Sequence, residues 1–168
     1  MDSTLVLIKP DAMQKNLAGE IIRELHNTGL ELIGIKIIEV PEELAEKHYE
    51  EHKDKEFFGK LVKHLTGYFH VKKVLAMVWH GENAINKIRE TAGKTNPEDA
   101  APNTLRGKYG RIHSKTDVFE NVLHTSDSAS SAEKEIKLWF SPSELIRGIY
   151  PVKRKKCVSC KVESLSWK

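Results

Sequence analysis

Leu5-Val6-Leu7-Ile8 is an unbroken apolar run, the pattern of a strand in the middle of a sheet with both of its faces covered. Pro10 ends it, so Lys9 emerges at the strand's end. The spacing then turns helical: Ala18, Ile21, Ile22 and Leu25 share one face, and Gly29 supplies the stop. Residues 30–40 read as a second strand, with Leu32, Gly34, Lys36 and Ile38 alternating against Ile33, Ile35 and Ile37. Pro41-Glu42-Glu43 opens a helix running to about His52, with proline at its first position and acid in its first turn. Phe58, Leu61, Val62 and Leu65 mark a short helix, residues 66–73 a loop, and residues 74–79 a third buried strand. Asn83 suits the cap of a helix carrying Ala84, Ile85, Ile88 and Ala92 and stopped by Gly93. Residues 94–120 show little periodicity and hold Pro97, Pro102, Gly107 and Gly110; a loop of that length inside a domain is usually functional. A fourth strand at residues 121–123 is followed by a helix with Ala132, Ile136, Trp139 and Phe140 on one face. Ser130 and Glu133 have the spacing of a capping box, and Ser141-Pro142-Ser143-Glu144 repeats it before another short helix. Beyond Arg147 the pattern is irregular.

This order of strands and helices fits a β-α-β-β-α-β sandwich, although periodicity alone allows a parallel α/β fold equally well. The 168 residues suit one domain, and no linker or repeat divides them. No apolar run approaches the roughly 20 residues that span a bilayer. The N-terminus lacks the basic start and apolar core of a signal peptide, and two cysteines make no disulfide framework. A cytoplasmic protein with no membrane partner is therefore expected. The net charge of +3 owes much to Lys153-Arg154-Lys155-Lys156. Such a tail can meet nucleic acid or acidic lipid, but a solvated tail is the commoner case and nucleic acid is not the expected partner. Cys157-x-x-Cys160 could be half of a zinc site, a redox pair or neither.

The candidate chemistry centres on His124. It lies between a strand and the amides of a helix N-terminus, a position that suits an anion. Neutral imidazole there is a competent nucleophile near pH 7, and Glu135, further into the helix, can reach back to orient the ring. Gly93-Lys94-Thr95 imitates the end of a P-loop, but the motif needs glycine where Ile88 stands and a strand where a helix precedes. Without a glycine cradle, phosphates must be held by side chains; Lys9, Tyr49, Arg89, Thr95 and Arg106 are the candidates.

Asn121-x-x-His124-x-Ser126-Asp127 with Glu135 downstream, Lys9-Pro10-Asp11 near the start and Thr95-Asn96-Pro97 between them resemble, in order, the signature of nucleoside diphosphate kinases. The resemblance covers about residues 4–146. It decides the fold as α+β, a ferredoxin-like β-α-β-β-α-β sandwich with helices on one face of a four-stranded antiparallel sheet. It also divides the chain into a kinase-like domain, 1–146, and an irregular, basic C-terminal extension, 147–168. It implies that the γ-phosphate of a nucleoside triphosphate, usually ATP, passes to a nucleoside diphosphate by a ping-pong route through a phosphohistidine on the pros nitrogen of His124. Lys9, Arg89, Thr95 and Arg106 then grip phosphates and sugar, and Tyr49 lies beside the histidine. Phe57 and Leu61 hold the base, Asn121 lies near the ribose hydroxyls, and Ser126 bonds Glu135, which holds His124. Mg²⁺ is expected to arrive on the β- and γ-phosphates with no dedicated protein ligand, Asp127 touching it through water. The family forms hexamers built from dimers, with tetramers as the known variation, so a homo-oligomer is expected. The chain departs from the pattern at Thr125, where glycine or alanine is usual, at Ala12, and in longer loops at 66–73 and 109–121. Thr125, the two longer loops and the basic tail also suit a binding or regulatory module on the same fold, with slow or absent turnover.

Overall fold

The computed structural model describes residues 1–114, 117–156 and 163–167. In chain order the regular elements are β1 (Asp2–Ile8), α1 (Pro10–Gln14), α2 (Ala18–His26), β2 (Glu31–Ile38), α3 (Glu42–His48), α4 (Phe58–Leu65), β3 (Val74–Gly81), α5 (Ala84–Ala92), α6 (Leu105–Tyr109), β4 (Arg111–Ile112), β5 (Phe119–Glu120), β6 (Leu123–Thr125), α7 (Ala129–Trp139), β7 (Val152–Lys156) and β8 (Glu163–Trp167). The main sheet is antiparallel throughout, in the order β2-β3-β1-β6. β1 therefore has a hydrogen-bonded neighbour on each side, and every residue from Ser3 to Ile8 is buried.

The helices divide between the two faces rather than sharing one. Leu5, Leu7, Ala76 and Val78 meet Ala45 of α3, Leu65 of α4, and Ile136 and Trp139 of α7. On the other face Val6, Ile8, Met77 and Trp79 meet Ile21 and Leu25 of α2, Ile88 of α5 and Leu105 of α6. A central strand with apolar side chains at successive positions points half of them to each face, and each half must leave water.

Several local expectations are corrected. Pro10 opens α1, a helix of one turn and a half, too short to display a period. Pro41 caps α3 instead of occupying its first turn, and the turn from Glu50 to His52 is a separate 3₁₀ helix. Asn83 stands at the cap of α5, but its side chain bonds Asn86; the first amides of the helix donate instead to the Asp2 carboxylate, Ala84 at 2.8 Å and Ile85 at 3.1 Å. α7 is capped by Ser128, whose Oγ accepts from the Ser131 amide at 3.2 Å, and not by a Ser130 box. The box at Ser141 and Glu144 is present and opens a 3₁₀ turn. Residues 94–120 hold α6, a 3₁₀ turn at Pro97–Asp99 and the β4–β5 hairpin. The chain beyond Arg147 is not irregular throughout: β7 pairs with β8, and the Trp167 indole donates to the Phe140 carbonyl at 2.6 Å. Cys157 and Cys160 lie outside the described residues. Among the described residues no helix is long and apolar enough to cross a membrane.

Candidate active site

His124 sits within β6, opposite Leu7 of β1, rather than after the strand's end. Its strand neighbours Leu123 and Thr125 are buried, whereas His124 opens onto a cavity of about 560 Å³. The strand is entered through a kink. Val122 has φ 60°, the left-handed region that a β-branched residue seldom adopts, at a cost on the order of 1–3 kcal/mol. Two bonds hold it there: the Val122 amide donates to Asp11 Oδ2 at 3.1 Å, and the Lys9 amide donates to the Val122 carbonyl at 2.9 Å. The Lys9-Pro10-Asp11 turn thus supports the backbone two residues before His124.

α7 brings Glu135 to the ring. Glu135 Oε2 lies 2.9 Å from His124 Nε2 and accepts the Ser126 hydroxyl at 2.7 Å. Ser126 in turn accepts from the Leu5 amide at 3.1 Å, so the carboxylate is referenced to the central strand. A carboxylate only accepts, so His124 donates through Nε2 and its neutral ring keeps a lone pair on Nδ1.

Lys9, Arg89 and Arg106 bring cations to the same cavity. Lys9 Nζ donates to Asn121 Oδ1 at 2.8 Å, and Asn121 Nδ2 donates to the Thr95 carbonyl at 2.8 Å. Burial lowers the Lys9 amine to about 8, against a smaller opposing pull from Asp11. The Arg106 guanidinium donates to the carbonyls of Gly93 at 2.6 Å and Leu123 at 3.0 Å. Burial, with the charge of Arg89, lowers it to about 10, so it stays charged at neutral pH. Burial pushes the Tyr49 phenol above its usual range, which keeps its proton in place. Phe57 is half exposed at the mouth, and Leu61 beside it is partly buried. Every site residue singled out from the sequence lines this cavity except Ser126, which stands behind Glu135.

Sequence reasoning missed other features. His48 packs perpendicular to His124, with ring centroids 4.4 Å apart, and accepts from the Trp139 indole at 3.2 Å. His64 bonds Asp11 at 3.1 Å. Burial pushes the Asp11 carboxyl up, but the bond and charge of His64, then Lys9 and the Val122 amide, outweigh it and hold it below the usual range. The two longer loops meet: His70 lies 3.2 Å from the buried Glu120, which Lys15 and Arg111 also pair at 3.1 and 2.6 Å. Their only advance signal was that both loops are long. Thr125 is buried and its hydroxyl has no partner among the described residues.

One group of potential metal ligands stands here: atoms of His48, His124 and Glu135 lie within 4.8 Å of one another. It does not suit a resident ion. The Trp139 indole can only donate, so His48 Nδ1 must accept and Nε2 carries the proton where a metal would need a lone pair. Asp127 lines the cavity instead, exposed, and a hydrogen bond from Ser131 holds its carboxyl below the usual range.

Residues 2–145 match the family model described as nucleoside diphosphate kinase. A nucleoside diphosphate kinase of Staphylococcus epidermidis is 48% identical over 145 residues, covering 86% of this chain and 91% of the relative. One from Pyrococcus furiosus is 48% identical over 145 residues, covering 86% of each chain. Among solved structures, the halophilic nucleoside diphosphate kinase of Halobacterium salinarum in complex with CDP superposes with a TM-score of 0.78 at 40% identity, over 88% of this chain and 93% of that one.

Proposed function

The chain belongs to the nucleoside diphosphate kinase family, whose members transfer phosphate between nucleotides through a phosphohistidine, and we propose that His124 carries the phosphoryl group here, on Nδ1. The observation that carries this assignment is the Glu135–Nε2 contact of 2.9 Å, which leaves Nδ1 as the nitrogen with a lone pair beside the cavity. In the first half-reaction the Nδ1 lone pair attacks the γ-phosphorus of a nucleoside triphosphate, usually ATP. An N–P bond forms, the bond from γ-phosphorus to the bridging oxygen breaks, and the diphosphate leaves with that electron pair. In the second, a terminal oxygen of another nucleoside diphosphate attacks the same phosphorus and the N–P electrons return to Nδ1. Two displacements through one covalent species let a single site serve donor and acceptor.

The phosphoryl group in flight spreads charge over its equatorial oxygens, so positioned cations and hydrogen-bond donors supply most of the stabilisation. Lys9, Arg89, Thr95 and Arg106 take that role, and Asn121 joins Lys9 to the Thr95 backbone at the ribose side. Tyr49, protonated, contributes a hydroxyl beside the nucleophile. Phe57 offers a ring face to the base and Leu61 its apolar flank; every base has a π-face, so selectivity among bases is weak. The cavity fits Mg²⁺ that arrives on the nucleotide, since Asp127, kept ionised by the Ser131 hydrogen bond, lines it and would meet the ion through water, while Glu135 is engaged by His124 and Ser126. When bound, the ion neutralises charge on the β- and γ-phosphates.

The enzyme is proposed to work in the cytoplasm, where both nucleotide substrates are, and as a homo-oligomer, the hexamer usual in the family or a tetramer. β2 lies at the sheet edge with Ile35 and Ile37 half exposed or more, which supports self-association. Incubation with γ-labelled ATP should leave acid-labile, alkali-stable label on the protein. His124→Ala should carry no such label and lose turnover by roughly four orders of magnitude or more. Label on His124→Ala would refute the assignment.

A further inference from the structure

His48 is more than nine-tenths buried, lines the cavity and stands against the face or edge of His124 at a ring separation of 4.4 Å and an interplanar angle of 81°. Its Nδ1 accepts from Trp139 Nε1 at 3.2 Å. An indole has no acceptor, so the proton of neutral His48 is on Nε2. That N–H is buried and has no hydrogen-bond partner among the described residues. A buried donor left unpaired beside a nucleophile calls for a reason.

We propose that Trp139 and His48 form the second half of a tautomer lock on His124, of which Glu135 is the first half. This rests on His124 being the nucleophile. A neutral imidazole carries one proton, and only the unprotonated nitrogen can attack. Glu135 draws the proton to Nε2. The opposite hazard is an acceptor near the other nitrogen, which would stabilise the proton on Nδ1 and block attack. His48 is the candidate for such an acceptor, because its ring packs perpendicular to that of His124 with centroids 4.4 Å apart, and one ligating atom of each ring lies within 4.8 Å of the other. With Trp139 occupying the His48 Nδ1 lone pair, His48 can present only N–H. Burial, reinforced by the charges of His124 and Lys9, holds His48 well below the usual histidine range, so it stays neutral and its tautomer is the remaining variable. His48 and Trp139 are positioning residues.

The test is the tautomer itself, read from two-bond ¹H–¹⁵N correlations of ¹⁵N-histidine-labelled protein, alongside single-turnover phosphorylation by ATP. In the unaltered protein both His48 and His124 should carry their protons on Nε2. Trp139→Phe keeps an aromatic ring in place but removes the donor. It should give mixed tautomers in both rings and slow phosphorylation about tenfold, with nucleotide KM nearly unchanged; a complete switch to the wrong tautomer costs a catalytic histidine up to about 10⁴. His48→Gln, which retains an N–H, should recover most of the rate lost in His48→Phe. A His48 proton on Nδ1 in the unaltered protein overturns the proposal. So does a Trp139→Phe enzyme whose His124 tautomer and phosphorylation rate are both unchanged. Should Trp139→Phe not fold, the His48→Gln and His48→Phe pair decides, and equal rates overturn it. The spectra do not depend on label reaching His124, so a failure here is separable from a failure of the phosphohistidine assignment.

Discussion

Two of the histidine–carboxylate pairs among the described residues line or adjoin the cavity and are nearly equal in length: His124–Glu135 at 2.9 Å and His64–Asp11 at 3.1 Å. Their surroundings separate them. The side chains of the first pair are 20% and 12% exposed, those of the second 2% and 0%. His124 keeps its second nitrogen beside an open cavity, whereas the second nitrogen of His64 is buried with no hydrogen-bond partner among the described residues. The acids differ as well. Glu135 receives Ser126 from its own strand–helix corner, while Asp11 accepts the amide of strained Val122. The same histidine–carboxylate hydrogen bond thus orients the proposed nucleophile in one place and braces backbone in the other. The distance between a histidine and an acid does not tell which; the fate of the other ring nitrogen does.

Glu135→Gln should draw the contrast most sharply. The amide oxygen can still accept from His124, but the charge that favours a proton on Nε2 is gone. A positioned acid–base partner is worth about 10²–10⁴ in rate, and a fall in kcat of about 100-fold is expected, with nucleotide KM nearly unchanged and thermal stability close to that of the unaltered protein. Steady-state kinetics beside a melting curve decide it. A large drop in Tm with modest loss of kcat would mean that this pair, too, is structural.

How far the two pairs could be read in advance depends on distance along the chain. His124 and Glu135 are 11 residues apart on a strand and the helix that follows, so reach could be argued from local pattern. His64 and Asp11 are 53 apart, and His48 and Trp139 are 91 apart; only the folded sheet brings them together. The four strands and the longer helices were legible because burial on a pleat or a helix face leaves a period. Two-sided covering is legible in Leu5-Val6-Leu7-Ile8, whereas the one-sided placing of the helices comes with the family resemblance; which helix covers which face is not written in its own spacing. α1 and α6, of five residues each, are too short to repeat. The cap of α7 was misplaced because Ser126, Asp127, Ser128, Ser130 and Ser131 all carry capping oxygens, and backbone geometry selects Ser128. The scattered residues proposed to hold phosphate come together as a set only through family resemblance; nothing local connects Lys9, Arg89 and Arg106.

Asp11→Ala is the complementary break. It leaves the His64 N–H and the Val122 amide without their acceptor inside the core. Each unsatisfied donor costs about 1–3 kcal/mol, so a loss of about 3 kcal/mol is expected, or a Tm lower by about 6–12 °C. Release of the Val122 kink also reaches His124, and a smaller fall in kcat should follow. If Asp11→Ala melts as the unaltered protein does, the buried pair is not a brace.

Lys9 lies between the two pairs and gives the mildest test. It interacts with Asp11 on one side and with His48 on the other, and its amine titrates at about 8 because burial penalises the charge. The sign follows from that direction. A lowered lysine is cationic below about 8 and loses its charge as pH rises through that value, so its contribution to phosphate binding is present at pH 7 and fades above pH 8. Bound phosphate favours the charged form, which places the effect in the free enzyme and hence in kcat/KM rather than kcat. At one unit above its pKa, about nine-tenths of the amine is neutral, and kcat/KM should fall about tenfold between pH 7 and pH 9. Lys9→Arg, whose guanidinium stays charged across this range, should flatten that alkaline limb even if its absolute rate is lower. An unchanged limb in Lys9→Arg would assign the titration to another group and leave Lys9 as part of the brace around Asp11 instead of the phosphate grip.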